Sequence, residues 1–282
     1  MNGTGVKDFR GLELGLGLIG IGRPWPGSDS PVSTADQTRT LLDRAHALGI
    51  RFFDTAAAYG ASEQRLGDWL TTLPRSERDR LLIATKCGEE WSPQEGGRTD
   101  HSLDAVRRSF DTSIERLERI DLLQLHKCTA ADFADDALIG WFAALKASMQ
   151  VTALGASVST PDALRLALDT QVFDTVQFPA NTGNTVLAEA YEYARGTVLP
   201  LLNRPMASGA LAGGPNPFTY HVTHFRRALV LTGTTDVEHL EANVKAFDQA
   251  VAVAVGSTES RTDGPTDGLP SGSADSSPNE GI

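Results

Sequence analysis

Cysteine is nearly missing from this 282-residue chain, which carries only Cys87 and Cys128. Two thiols give no disulfide framework, so a reducing compartment, the cytoplasm, is the expected setting. Basic residues are outnumbered by acidic ones, 25 to 36, for a net charge of −11. That balance argues against nucleic acid or an anionic membrane as partner, since both want a basic face. No apolar run approaches the roughly 18 residues of a membrane span. The opening "MNGTGVKDFRG" lacks the apolar core of a secretory signal. After Val255 the chain has almost nothing to bury. Its last segment, residues 256–282, is rich in Gly, Ser, Asp and Pro and reads as a disordered polar tail. Residues 1–255 are left for the folded body.

That body is well supplied with apolar residues, which make up 40% of the whole chain. They form short runs: "LGLGLIGIG" (14–22), "RFFDTA" (51–56), "LLIATKC" (81–87), "DLLQLHK" (121–127), "VTALGAS" (151–157), "TVQFPAN" (175–181), "TVLPLLNRP" (197–205) and "LVLTGT" (229–234). Near-continuous runs of this length fit parallel strands buried on both faces. Between them lie helical patterns. Leu103, Val106, Phe110, Ile114 and Leu117 share one face, as do Val237, Leu240, Val244, Phe247 and Val251. Ser33 and Thr34 offer a start, and Gly49 a stop, for a helix carrying Leu41, Leu42, Ala45 and Leu48. Eight strands alternating with helices predict an α/β fold, a (β/α)8 TIM barrel; a doubly wound open sheet is the alternative. The interval between the seventh and eighth strands is short, with room only for a brief helix around Tyr220 to Ala228.

Gly15-Leu16-Gly17-Leu18-Ile19-Gly20 matches the G-x-G-x-x-G dinucleotide fingerprint. The fingerprint needs its glycines to open a helix. Here they lie inside an apolar run, and "IGRPWPGSDSP" beyond them cannot begin a helix promptly. Close packing in a narrow barrel is the reading adopted.

In such a barrel the chemistry sits at the C-terminal ends of the strands. The second run ends at Asp54, with Tyr59 on the loop beyond; the third ends at Lys86, and the fourth at His126. Taken singly, each has an ordinary explanation in a turn or a solvated surface. Neighbouring strands are about 4.8 Å apart, so together these side chains reach one mouth. A free tyrosine titrates near 10, and a cationic Lys86 beside it is expected to lower that value. Asp54 is expected to hold Lys86, and His126 to donate a hydrogen bond to a substrate carbonyl. Such a site protonates an oxygen while a nicotinamide delivers hydride, which no side chain supplies. Cys87, His126 and Cys128 match no standard metal-ligand spacing, and His221 and His224 in "HVTH" would align two imidazoles only in a helix where an ordinary loop is expected, so no metal is expected. Trp25 and Trp91 fall in loops after the first and third runs. They either line an apolar substrate pocket or pack on the rim.

"FFDTAAAYG", "IATKCG", "DLLQLHK", "VQFPAN", "RPMASGALAGG" and "TGTTDVEHLEAN" together resemble the aldo-keto reductases, over about Leu12 to Asn243. The resemblance implies a (β/α)8 barrel that binds NADPH, or NADH, in extended form and reduces a small-molecule carbonyl. It carries the family's Asp, Tyr, Lys and His tetrad onto Asp54, Tyr59, Lys86 and His126. Ser157 and Gln177 match residues that grip the nicotinamide amide, with Val158 where Asn is usual. Asn203, followed by Arg204, stands where an aromatic often stacks on the nicotinamide. Thr234 and Asn243 resemble contacts to the adenine half. Gly233 and His239 stand where basic residues commonly hold the 2′-phosphate, leaving Arg204 and His239 to supply charge. Relative to the usual repeat, about ten to twenty residues are missing between the seventh and eighth strands. Two other readings stay open: a nucleotide-binding or regulatory barrel without catalysis, and a dehydratase or isomerase using the same tetrad. Oligomeric state is not legible.

Overall fold

A computed structural model of the chain describes residues 5–25, 31–193, 198–211 and 213–259. The elements begin with β1 (Leu12–Gly17), α1 (Ile19–Gly22), α2 (Ala35–Ala47), β2 (Phe52–Asp54), α3 (Ser62–Thr72), α4 (Arg75–Arg78) and β3 (Leu82–Cys87). A hairpin of β4 (Glu89–Ser92) and β5 (Gly96–Thr99) follows, then α5 (Leu103–Leu117), β6 (Leu122–Cys128), α6 (Asp136–Ala147), β7 (Ala153–Val158) and α7 (Pro161–Asp169). The last are β8 (Thr175–Pro179), α8 (Val186–Tyr193), β9 (Leu199–Asn203), α9 (Thr219–His224), β10 (Ala228–Gly233) and α10 (Val237–Glu259).

Eight of these strands close a parallel barrel in the order β1-β10-β9-β8-β7-β6-β3-β2. Closure excludes the open doubly wound sheet. Successive residues of each strand alternate between two apolar layers. Phe52, Leu82, Ala84, Leu122, Ala153, Leu199, Leu201, Leu229 and Leu231 fill the barrel, joined by Val6 and Phe9. Phe53, Ile83, Leu123, Leu125, Leu154, Ala156, Val176 and Leu202 face the other way, into the core shared with the helices. Burying one such large side chain is worth about 1.5–3 kcal/mol, so this alternation fixes the register of every strand.

The glycines of 15–20 behave as close-packing residues. A Cβ on Gly15 would stand 2.9 Å from Leu231 and 3.0 Å from Phe52. One departure from expectation follows them: a single helical turn, α1, begins directly after the strand. It closes at Arg23, before Pro24, and never becomes a phosphate-binding helix. Thr34 caps α2, accepting from Gln37 N at 3.2 Å, and Gly49 lies just past it at φ +90°.

Three further elements differ from the sequence reading. The hairpin β4–β5 replaces the expected loop, so Trp91 sits on a strand paired with Gly97. The short helix before β10 spans Thr219–His224, and Ala228 already belongs to the strand. Helix α10 runs on to Glu259, taking in Gly256 and its neighbours, which composition assigned to the tail. Residues 260–282 of that tail lie outside the described residues. Among the described residues no helix is long and apolar enough to cross a membrane.

Candidate active site

The period-two alternation that buries Phe52, Leu82 and Leu122 inside the barrel carries polar side chains to the same interior face near the strand ends. These are Asp54 on β2, Lys86 on β3, and Gln124 and His126 on β6. Pairing sets them side by side: Asp54 opposite Ala84, and Lys86 opposite Gln124. Lys86 is 1% exposed and Asp54 3%. Their ion pair spans 2.6 Å, Nζ to Oδ2. Lys86 Nζ also donates to the Thr55 carbonyl at 2.9 Å and approaches the Tyr59 hydroxyl at 3.4 Å. Gln124 Nε2 donates to Asp54 Oδ1 at 3.0 Å, and Gln177 Nε2 approaches Oδ2 at 3.4 Å.

Tyr59 is placed by its loop. Ala57 N donates to the Lys86 carbonyl at 3.1 Å, and Tyr59 N to the Ala56 carbonyl at 2.9 Å. The loop presses on α1: a Cβ on Gly22 would lie 1.9 Å from the Tyr59 carbonyl oxygen. Gly60, at φ +61°, closes the same contact from the other side, its Cβ position 2.4 Å from the Gly22 oxygen. The Tyr59 ring meets the His126 ring edge-on, centroids 5.8 Å apart. Thus Asp54, Tyr59, Lys86 and His126 come together in one mouth.

Burial is the largest influence on Tyr59 and raises its pKa; Lys86 pulls the other way and does not overcome it. The expected net lowering by Lys86 is therefore not what the geometry gives, and the phenol stays protonated at neutral pH. Burial is the largest single influence on Lys86 and works against its charged form, but Asp54 and Tyr59 together outweigh it and the ammonium is held above its ordinary value. Burial lowers His126.

Glu89, the first residue of the hairpin, went unmarked in the sequence reading. It is 1% exposed. Its Oε1 accepts from Lys127 Nζ at 2.5 Å, and its Oε2 lies 2.9 Å from His126 Nδ1, close enough to pair but out of line for a straight hydrogen bond. Burial acts to raise the Glu89 carboxyl, yet His126 and Lys127 prevail and hold it at about 2. A register shift in β6 between Leu125 and Cys128, with Lys127 at φ +54°, turns these side chains at the mouth. Bulges commonly re-aim side chains beside active sites.

The residues expected to hold a cofactor divide into two groups. Ser157 pairs with Gln177, and Asn203 with Pro179, around the same mouth. Gln177 Oε1 and Asn203 Oδ1 are buried acceptors with no hydrogen-bond partner. Val158 packs in the outer core instead. Gly233 lies against the Trp25 ring, 3.3 Å from its Cβ position. Thr234 accepts from Asp236 N at 3.0 Å, and Asn243 Nδ2 donates to Thr232 Oγ1 at 2.9 Å. Arg204, at φ +55°, and His239 are exposed.

The thiols take no part. Cys87 Sγ donates to the Gln124 carbonyl at 3.5 Å and Cys128 Sγ to the Leu125 carbonyl at 3.1 Å. Burial pushes both upward. His221 and His224 bond the Ala180 and Tyr220 carbonyls. Among the described residues no group of three or more His, Cys, Asp or Glu is set to hold a metal ion.

Comparison with known proteins identifies the family and the fold. Residues 13–213 match the Aldo/keto reductase family. Aldo-keto reductase str7 of Strobilurus tenacellus is 37% identical over 158 residues, covering 55% of this chain and 45% of that protein. D-threo-aldose 1-dehydrogenase of a Pseudomonas species is 35% identical over 181 residues, covering 55% and 54%. A crystal structure from Pseudomonas aeruginosa, provisionally assigned to the aldo-keto reductases, superposes with a TM-score of 0.72 at 29% identity, covering 84% of this chain and 90% of that one. The matched part spans about half the length of the curated relatives. With the eight-stranded barrel, the tetrad at its mouth and a family match over residues 13–213, this chain belongs to the aldo/keto reductase family.

Proposed function

We propose that the protein reduces the carbonyl of a small aldehyde or ketone to an alcohol with NADPH, NADH being the second cofactor candidate, and that Tyr59 supplies the proton. One observation carries the reading: a protonated phenol 3.4 Å from a buried ammonium that is itself held 2.6 Å from a carboxylate. A nicotinamide, when bound, supplies the hydride.

The chain's own residues do the rest. The carbonyl oxygen takes the proton from Tyr59 Oη. The phenolate left behind faces Lys86 Nζ, whose charge stabilises it in a water-poor site. Asp54 keeps that ammonium charged and fixed, and Gln124 keeps Asp54 fixed. His126 lies edge-on to Tyr59, where a bound carbonyl is within its reach.

Gln177 and Asn203 fit a carboxamide. Each has a buried oxygen lacking a donor, and an amide NH2 has two donors to give. Ser157 sits beside them. For the phosphates, Arg204 and His239 are the exposed cationic or titratable groups, with Gly233, Thr234 and Asn243 flanking the end of β10. The same site works in reverse, oxidising an alcohol once Tyr59 is a phenolate, in keeping with the dehydrogenase name of one relative.

The test is Tyr59→Phe, assayed by nicotinamide absorbance against a panel of small aldehydes and ketones. We expect kcat to fall about 10²- to 10⁴-fold, with cofactor binding kept. Full carbonyl reduction by the variant would falsify the assignment of Tyr59. Turnover of substrate with no change in nicotinamide absorbance would instead support the dehydratase or isomerase reading.

A further inference from the structure

Arg23 is a cation the proposed proton transfer does not use. It follows α1 directly and is 9% exposed. Its guanidinium carbon stands 5.7 Å from the centre of the Tyr59 ring and 5.4 Å from that of Trp91. It is therefore sandwiched between the proton-transfer residue and the hairpin that overhangs the mouth. Its Nε is buried and has no hydrogen-bond partner. Among the described residues no carboxylate pairs with it. The two carboxylates of β4 have other partners: Glu89 has His126 and Lys127, and Glu90 has Arg98 at 3.1 Å. A guanidinium keeps its charge in any protein setting. Two aromatic faces compensate only part of its lost hydration. A nine-tenths-buried cation whose Nε lacks an acceptor is expensive unless something anionic completes it.

We propose that Arg23 is a substrate-anchoring residue for an anionic oxygen group, so that the substrates are small oxo acids: aldehydes or ketones bearing a carboxylate a few bonds from the carbonyl. This rests on the reductase reading for the carbonyl end and on Arg23 for the acid end. The planar fork of donors suits a carboxylate, which it binds bidentately. Contact with the Tyr59 ring sets the anion about one ring's width from the phenol that protonates the carbonyl. Tyr59 and Trp91 then flank the carbon chain between the two ends. The same chemistry could be met by a phosphate of the cofactor; position against the proton donor favours the substrate.

The experiment compares 4-carboxybenzaldehyde with 4-formylbenzamide, which share a shape and differ in charge, on the wild-type chain, Arg23→Met and Arg23→Lys. Benzoate, which has no carbonyl to reduce, is titrated against each by tryptophan fluorescence, as is NADPH. We expect the wild-type kcat/KM to favour the acid, and the acid-to-amide ratio to fall about tenfold to a hundredfold in Arg23→Met, as loss of a charge-assisted hydrogen bond gives. Arg23→Lys, which keeps the charge without the fork, should recover part of the ratio. Benzoate affinity should follow the same order. An unchanged ratio and unchanged benzoate affinity in Arg23→Met overturn the proposal. Loss of NADPH affinity with benzoate affinity intact overturns it too, and gives Arg23 to a cofactor phosphate. If neither aldehyde is turned over, the reductase reading fails, and the benzoate titration alone decides Arg23.

Discussion

Under the proposed mechanism, a single phenolic proton sets the pH behaviour of the site. Burial holds Tyr59 above its ordinary value of 10. Reduction needs the protonated form, so kcat for reduction should stay level through neutral pH and fall only above pH 10. Oxidation of the product alcohol needs the phenolate and should climb with pH over the same range. Stopped-time assays in both directions from pH 6 to 11 check this; a reduction rate already falling near pH 8 contradicts it. Glu89 offers a second residue-scale test. It works to raise His126 against the larger effect of burial. In Glu89→Gln the His126 imidazole should therefore titrate at lower pH than in the wild type, followed by NMR of the ring protons. An unmoved titration would mean that the 2.9 Å contact carries no charge coupling. At this scale the sequence was most readable for Asp54, Tyr59, Lys86 and His126, because each ends an apolar run or follows one closely. Gln124 was hidden two residues before His126, although strand alternation puts both on one face. Glu89 and Arg23 were hidden because their partners, His126, Tyr59 and Trp91, are brought to them only by folding.

Elements differ in how plainly their residues announce them. The single-face spacing of α5 matched Leu103–Leu117, and that of α10 began at Val237 as read. Periodicity sufficed because one side of each helix packs on the barrel. The hairpin β4–β5 gave no such signal. "EEWS" and "GGRT" have little apolar alternation, and the pair is fixed by cross-strand hydrogen bonds, a Gly96 at φ +74° and the Arg23–Trp91 contact. The contact between α1 and the Tyr59 loop was equally silent, since it depends on two glycines 38 positions apart in the chain. It yields a prediction. Gly22→Ala cannot fit without moving the loop, because its methyl group would fall on the Tyr59 carbonyl. We expect a loss of about 1–3 kcal/mol in urea unfolding, the usual scale for overpacking, together with a drop in kcat through displacement of Tyr59. Loss of stability with kcat intact would mean that the loop yields without carrying the phenol with it.

For the whole molecule, the question is whether a barrel with a six-residue helix between its last two strands still holds a nicotinamide cofactor. If it does, cofactor stabilises the fold by mass action, about 2.7 kcal/mol at a hundredfold excess over Kd. NADPH should raise Tm by several degrees in a concentration-dependent way, and the NADPH-to-NADH comparison reads the preference that Arg204 and His239 impose. A Tm indifferent to millimolar NADPH and NADH would remove the cofactor from the proposed reaction. The sequence by itself determined the eight buried strands and put Asp54, Lys86 and His126 at or near strand ends, because hydrophobic runs and strand-end polarity are local properties of the chain. Only tertiary structure decided that the sheet closes, that burial outweighs Lys86 at Tyr59, that Glu89 sits on His126 and that Arg23 lies between Tyr59 and Trp91. Desolvation and close approach are properties of neighbours distant in sequence, and no local pattern encodes them.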